Sequence, residues 1–418
     1  MKIKISTLKV IIWIVLYIIL WLPSKNGIIR YTDEIITLIC LISISIKIFK
    51  NKVLQKEEYL ILIFTGLLLF FGIISSIVAK IGQGTFPMMV DALSLMKVPI
   101  TYIYFKYSFP QNYKKKFVKI LLPISYFLIH ISFICAITNL FIDIGMGYDI
   151  RFGIRSFQFL FNNPGPYAAL MFVCFGILVI CSNKNHKYIF TKIEACINIL
   201  LTFRMGCIGP LGILLISYLF IGKKIKIRDI ILGVCMSAII GYGQFESYFL
   251  TETPRSQLVR GGITIFKKYF PLGAGFASFG SDMAYKSYSP LYYELGYNNM
   301  WGFSPEIGHL INDNFWPMII GQFGIMGLIF YISLLSVQVL YLIKIKLSKE
   351  KLCIAIGLFS LLIIGTLGSA ILTSDLGMAI IIAYSIIVTI EYEKDSIYLK
   401  RDKGESYGKK IVCNYTFL

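Results

Sequence analysis

The sequence predicts an all-α, polytopic membrane protein with one large, partly helical extracytoplasmic loop. Three observations on the residues predict the membrane bundle and the loop. Of 418 residues, 57% are hydrophobic and only 15% charged. Uninterrupted apolar runs of roughly 18 to 25 residues recur, about the length that crosses a ~30 Å hydrocarbon core. The lysines behind the net charge of +19 fall in short clusters between those runs, as in cytoplasmic loops. That distribution argues against nucleic acid as a partner.

Taken in order, MKIKISTLK leads into a first span with no small-residue cleavage site after it. It reads as a retained helix, not a signal peptide. About twelve spans are expected, at 8–22, 32–47, 59–79, 87–105, 119–140, 164–182, 188–203, 207–222, 229–243, 315–343, 352–372 and 376–391. The chain thus divides into an N-terminal bundle (1–243, about nine spans), a large loop (244–314), three C-terminal spans (315–391) and a charged tail (392–418). Basic residues mark alternate connections: the N-terminus, Lys47 to Lys56, Lys106 to Lys119, Lys184 to Lys192, Lys223 to Arg228, Lys344 to Lys351 and the tail. These hold 29 of the 41 lysines and arginines. The other short connections are nearly neutral, so alternation puts both termini in the cytoplasm. The Asn414-Tyr415-Thr416 sequon then lies on the inner side and is discounted. The nine cysteines form no CxxC pair, and none lies between Gln244 and Asn314. They read as small apolar packing residues, not disulfides or metal ligands.

Two outer segments remain, Ile142 to Pro164 and Gln244 to Asn314. The second is far longer than a connection needs to be, and any chemistry is expected there. Arg255 and Arg260 open an amphipathic stretch. A guanidinium fork suits phosphate oxygens, though a solvated helix face touching anionic lipid would look the same. Pro271, Gly273 and Gly275 make a turn that lets backbone approach closely. Tyr288, Tyr292, Tyr293 and Trp301 offer flat faces to sugar rings, or simply mark a membrane interface. Arg151 and Arg155 precede a span. Arg204 sits between two apolar runs, where an outer-boundary position spares it most of the ~2.5–3.5 kcal/mol cost of a mid-membrane charge. Lys97 and Asp91, within one span, face different sides, and either could partner another helix. Asn312, Asp313 and Asn314 precede Pro317, so one of them can cap the next span, worth about 0.5–2 kcal/mol. Gly321, Gly324 and Gly327 would let a neighbouring helix pack closely.

The tract "YFPLGAGFASFGSDMAYKSYSPLYYELG" followed by "INDNFWPMIIGQFGIMGLI" resembles the signature of bacterial O-antigen and capsular polysaccharide polymerases, the Wzy type, in the O-antigen ligase–polymerase superfamily. "RFGIRSFQFLFNNPGPYAA" and "LLTFRMGCIG" are similar more weakly, and the other spans agree only in number and hydropathy. The resemblance implies a GT-C-type fold and glycans on undecaprenyl pyrophosphate as substrates. It implies no metal or cofactor, in keeping with the lack of a DxD motif. It implies residence in the bacterial cytoplasmic membrane, beside a flippase and a chain-length regulator. Arg255 and Arg260 fall on the arginines before the "PLxGxG" turn, and Arg204 on the arginine of the short hairpin. Asp313 and Asn314 stand where the ligases carry histidine, which favours a polymerase. The expected reaction is inverting glycosyl transfer, with Asp313 as base and Glu306 and His309 as reserves. Arg255, Arg260 and Arg204, with Arg151 and Arg155 on the same face, meet the pyrophosphate. A ligase and a lipid-oligosaccharide flippase are the rivals.

Overall fold

The computed structural model describes residues 5–23, 25–50, 54–151, 153–182, 188–221, 251–308 and 310–391. The expected span at 229–243, the Lys223 to Arg228 cluster and the tail lie outside the described residues. The described chain is mostly helical. The N-terminal part comprises α1 (Ile5–Leu20), α2 (Thr32–Phe49), α3 (Lys56–Ala79), α4 (Thr85–Ile103), α5 (Gln111–Phe141), α6 (Pro164–Cys181), α7 (Ile189–Leu200) and α8 (Met205–Phe220). The long loop contributes α9 (Pro254–Lys268), α10 (Asp282–Lys286) and α11 (Pro290–Glu294). Then come α12 (Phe315–Lys344), α13 (Lys349–Gly365) and α14 (Asp375–Thr389).

The molecule is a helical membrane protein, but twelve spans are not what its helices support. Among the described residues five helices are long and apolar enough to cross a bilayer: α3, α4 with its continuation to Ser108, α5, α6 and α12. The parts of α1, α8 and α14 from Thr7, Met205 and Asp375 onward are apolar but shorter. The shortfall has physical causes. At 1.5 Å per residue, the 12 residues of α7 reach only about 18 Å. Helix α2 carries Asp33, Glu34 and Lys47 within its 18 residues. Helix α13 stops at Gly365, short of the expected residue 372, because a small-residue turn follows.

Burial separates centre from periphery. Helix α14 is buried without a break from Gly377 to Val388, and α6 almost as completely. Apolar on every side, they belong in the middle of a bundle. Helix α14 packs against α13, α4, α6 and α1. Helices α3 and α5 instead turn Phe70, Ile77, Phe127 and Ile134 outward, where lipid is as good a solvent as protein.

The basic connections meet at one end. Lys106 pairs with Glu58 at 2.6 Å and lies over the Tyr341 ring. Lys114 donates to Thr389 Oγ1 at 2.6 Å, and Lys351 to the Ile390 carbonyl at 2.8 Å. The long loop lies at the other end. Its own core holds Leu258, Ile265, Phe279, Leu291, Tyr292, Tyr297 and Phe303.

Residues 273–280 are all buried. They thread between α3, α4 and α12. Ala274 and Gly275 N–H donate to the Gly321 and Gln322 carbonyls of α12 at 2.9 and 2.7 Å, and Ile325 N–H donates to Pro271 O at 3.1 Å. Helix α12 breaks at Gly324 (φ 58°, ψ −149°), which frees those carbonyls. From α3, Ser75 Oγ donates to Leu272 O at 2.7 Å, and Ser76 Oγ accepts from Phe276 N–H at 2.9 Å. From α4, Asp91 accepts from Ala277 N–H at 2.7 Å. Gln322 donates to Phe279 O at 2.8 Å. Non-helical backbone beside a broken helix is tolerated in a membrane protein only where protein satisfies it in this way. The glycines Gly321 and Gly324 therefore admit a non-helical, turning segment, not the neighbouring helix the sequence suggests. Gly327 faces its own helix at Phe323.

Candidate functional site

Asp313 is half-buried just before α12. Position makes Asn314 the N-cap, with extended φ and ψ of −151° and 124°, yet its side chain makes no capping bond. Its Nδ2 is buried with no partner among the described residues. A strap formed by residues 366–370 holds the helix start instead. Phe315 N–H donates to Thr366 O at 3.3 Å and Ala370 N–H to Asn312 O at 3.1 Å, while Trp316 Nε1 donates to Thr366 Oγ1 at 3.0 Å. Pro317 occupies the first turn, where no N–H is missed.

Arg255 stands in the first turn of α9. Thr253 caps that helix and Pro254 opens it. A methyl group at Gly368 would lie 3.5 Å from its guanidinium. Arg255 and the mouth of α12 thus share one strap. Arg260 turns away. It is exposed and sits 3.5 Å from Glu252. Glu306 is exposed, and His309 lies outside the described residues.

The aromatic set divides. Tyr292 is 0% exposed and accepts a hydrogen bond from Gly280 N–H at 2.8 Å. It is a core residue of the loop and offers no face to a sugar. Tyr288 is half-buried and donates to Phe303 O at 3.1 Å. Burial first, then Tyr293 and Glu306, push its phenol up to about 12. Tyr293 and Trp301 are exposed.

The segment before α6 folds into an antiparallel hairpin of β1 (Gly147–Arg151) and β2 (Ile154–Phe157), which departs from an all-α chain. The hairpin brings Arg151 to Arg204. Arg151 donates to Asp149 at 2.8 Å and to Phe203 O at 3.1 Å. Arg204 lies over the Tyr148 ring, 5.2 Å from its centroid. Its Nε is buried and has no partner among the described residues. Burial first, and Arg151 second, pull the Arg204 guanidinium below its usual value. Partial burial pushes the Asp149 carboxyl up, but the Ser156 hydroxyl and Arg151 more than offset it and hold it below the usual carboxylate range. A cleft of ≈ 320 Å³ opens here, lined by Arg151, Phe203, Met205 and Ile208. Arg204 sits between two of those residues. Two guanidiniums and one carboxylate leave a positive excess, so the place suits an anion. Arg155, on β2, is instead committed to Asp143 and the Asn139 carbonyl, both at 3.1 Å.

Sequence reasoning missed Tyr148 and Asp149 in this cluster and the 366–370 strap in the other. Tyr148 and Ile150 alternating with Asp149 and Arg151 before Gly153 was the available signal for the hairpin. Among the described residues no three His, Cys, Asp or Glu side chains gather as metal ligands would. No protein-family model matches the chain, and neither a curated protein nor a solved structure matches it significantly.

Proposed function

We propose that the protein is a metal-independent, inverting glycosyltransferase of the polysaccharide-polymerase kind. It would join oligosaccharide repeat units carried on undecaprenyl pyrophosphate, at the outer face of a bacterial cytoplasmic membrane. The observation that carries the reading is Arg151, which lines the cleft, beside Arg204, whose Nε is buried and unpartnered among the described residues. Two guanidiniums that share one carboxylate, with an Nε–H left over, suit a pyrophosphate.

In the proposed reaction an acceptor sugar hydroxyl attacks the anomeric carbon of the growing chain. The carbon–oxygen bond to pyrophosphate breaks, and undecaprenyl pyrophosphate leaves with the electron pair. Asp313 takes the hydroxyl proton; a positioned base of this kind contributes ~10²–10⁴-fold. Fixed guanidiniums offset the charge on the leaving group. Growing chain and incoming unit each carry a pyrophosphate, so this reaction calls for two cation sites. Arg204 with Arg151 is one candidate, and Arg255 beside the Gly368 strap is the other. That pair of sites favours a polymerase over a flippase, which needs to hold only one lipid-linked glycan at a time.

The test is polymer length in intact cells carrying Asp313→Asn, Arg255→Ala or Arg204→Ala at normal protein levels. The expected result is loss of long polymer, with single repeat units left on the acceptor. Full-length polymer from all three variants would overturn the proposal.

A further inference from the structure

A second cavity, of ≈ 230 Å³, lies at the loop end of the bundle between the end of α1, the approach to α6 and the start of α14. Trp21, Phe161, Asn162, Asn163, Pro166 and Asp375 are among its lining residues. Trp21 is only 8% exposed, so it is not an indole resting in lipid headgroups. Its Nε1–H is buried, turned to the Tyr17 hydroxyl beside it and to no other described residue. The opposite wall is carboxylate and amide. Asp375 pairs with the buried Lys25 ammonium and accepts from Leu376 N–H. Asn163 spends its side-chain oxygen on Gly165 N–H, which leaves its amide donors, and Asn162 is exposed.

An indole, two carboxamides and an oriented carboxylate around a small cavity match the alternating apolar faces and hydroxyls of a sugar ring. The volume is below the ~300–1,000 Å³ of a drug-sized pocket, which fits one ring and not a chain. Position fits as well. Ala370 of the strap bonds Asn312, and Asp375 follows five residues later. At no more than ~3.6 Å per residue, the two points lie at most about 18 Å apart, so a glycan passing Asp313 can reach the cavity.

We infer that the cavity between Trp21, Asn162, Asn163 and Asp375 is a saccharide subsite holding a single pyranose ring of the glycan. The inference rests on the reaction proposed above and adds where one of its sugars is gripped. The probe is the repeat-unit oligosaccharide, freed of lipid and pyrophosphate by mild acid, from the strain that makes the polymer. Its binding to full-length purified protein is measured by saturation-transfer NMR. Trp21→Phe shrinks the indole that walls the cavity, and Asn162→Ala alters an exposed side chain that no helix depends on. Each should weaken binding by about fivefold, the worth of one polar or ring contact, while Gly66→Ala, whose added methyl meets nothing within 4 Å, should bind as the parent does. Equal binding by parent, Trp21→Phe and Asn162→Ala overturns the subsite, as does no binding by the parent. Normal polymer in Asp313→Asn, Arg255→Ala and Arg204→Ala cells would overturn the underlying reaction instead, so the two failures are distinguishable.

Discussion

Lys97 holds its ammonium 2.6 Å from Asp33 and 2.8 Å from Glu34, and all three side chains are nearly or largely buried. The two carboxylates sit in the first turn of α2, where the helix dipole favours negative charge. One lysine therefore serves two acids, and Glu34 Oε2 still lacks a partner among the described residues. Breaking a buried ion pair by removing one partner typically costs ~3–5 kcal/mol, because the remaining charge cannot be solvated. Lys97→Met should lower the unfolding free energy in detergent by an amount in that class, seen as a lower thermal midpoint. Lys97→Met combined with Asp33→Asn and Glu34→Gln should recover much of the loss, since no unpaired charge is then left. If the single variant is as stable as the parent, the cluster is not holding α4 to α2. Arg204 makes a different case at the same scale. Its guanidinium has a like-charged neighbour in Arg151, and a bound anion would relieve both.

At the scale of elements, the threading of residues 271–280 through the bundle depends on missing side chains. A Cβ at Gly72 of α3 would lie 2.5 Å from Phe276 and 2.9 Å from Phe323, whereas one at Gly66 of the same helix would meet nothing within 4 Å. Overpacking of this kind costs about 1–3 kcal/mol, while Gly→Ala in an open helix position gains up to about 1 kcal/mol. Gly72→Ala should therefore destabilise the protein and Gly66→Ala should not, as read by thermal unfolding of the two purified variants. Equal midpoints would mean that Phe276 and Phe323 move aside freely and that the segment is not wedged. This contrast was not legible in the sequence. Apolar periodicity marks where α3, α5, α6 and α12 run, because burial in lipid is a property of each segment alone. The seating of Ala274 on Gly321, or of Ala277 on Asp91, joins residues distant in the chain, and no local pattern encodes such pairs. The same limit explains the candidate site. Arg204 was legible, since an arginine between two apolar runs is driven to a membrane edge. Its neighbour Arg151 was singled out separately, but only the hairpin brings them together. Tyr292 read as a surface aromatic because composition does not distinguish a small loop core from an interface.

At the scale of the whole molecule, charge sorts the two ends. Lys106, Lys114 and Lys351 are tied together at one end through Glu58, Thr389 and the end of α14. Arg204, Arg255, Asp313 and the 230 Å³ cavity belong to the other. Basic residues near span ends resist translocation, so the lysine-rich end is expected in the cytoplasm. Lipid-linked repeat units polymerise on the far side, so the proposed function stands only with that orientation. Two exposed positions report it: Asn299 in the long loop and Glu350 at the start of α13. In intact cells a membrane-impermeant maleimide should label Asn299→Cys well above the background of the parent chain. Glu350→Cys should be labelled only after the membrane is permeabilised. The reverse pattern would put Arg204 and Asp313 in the cytoplasm, on the side of nucleotide-sugar chemistry, and would remove the polymerase reading along with the orientation.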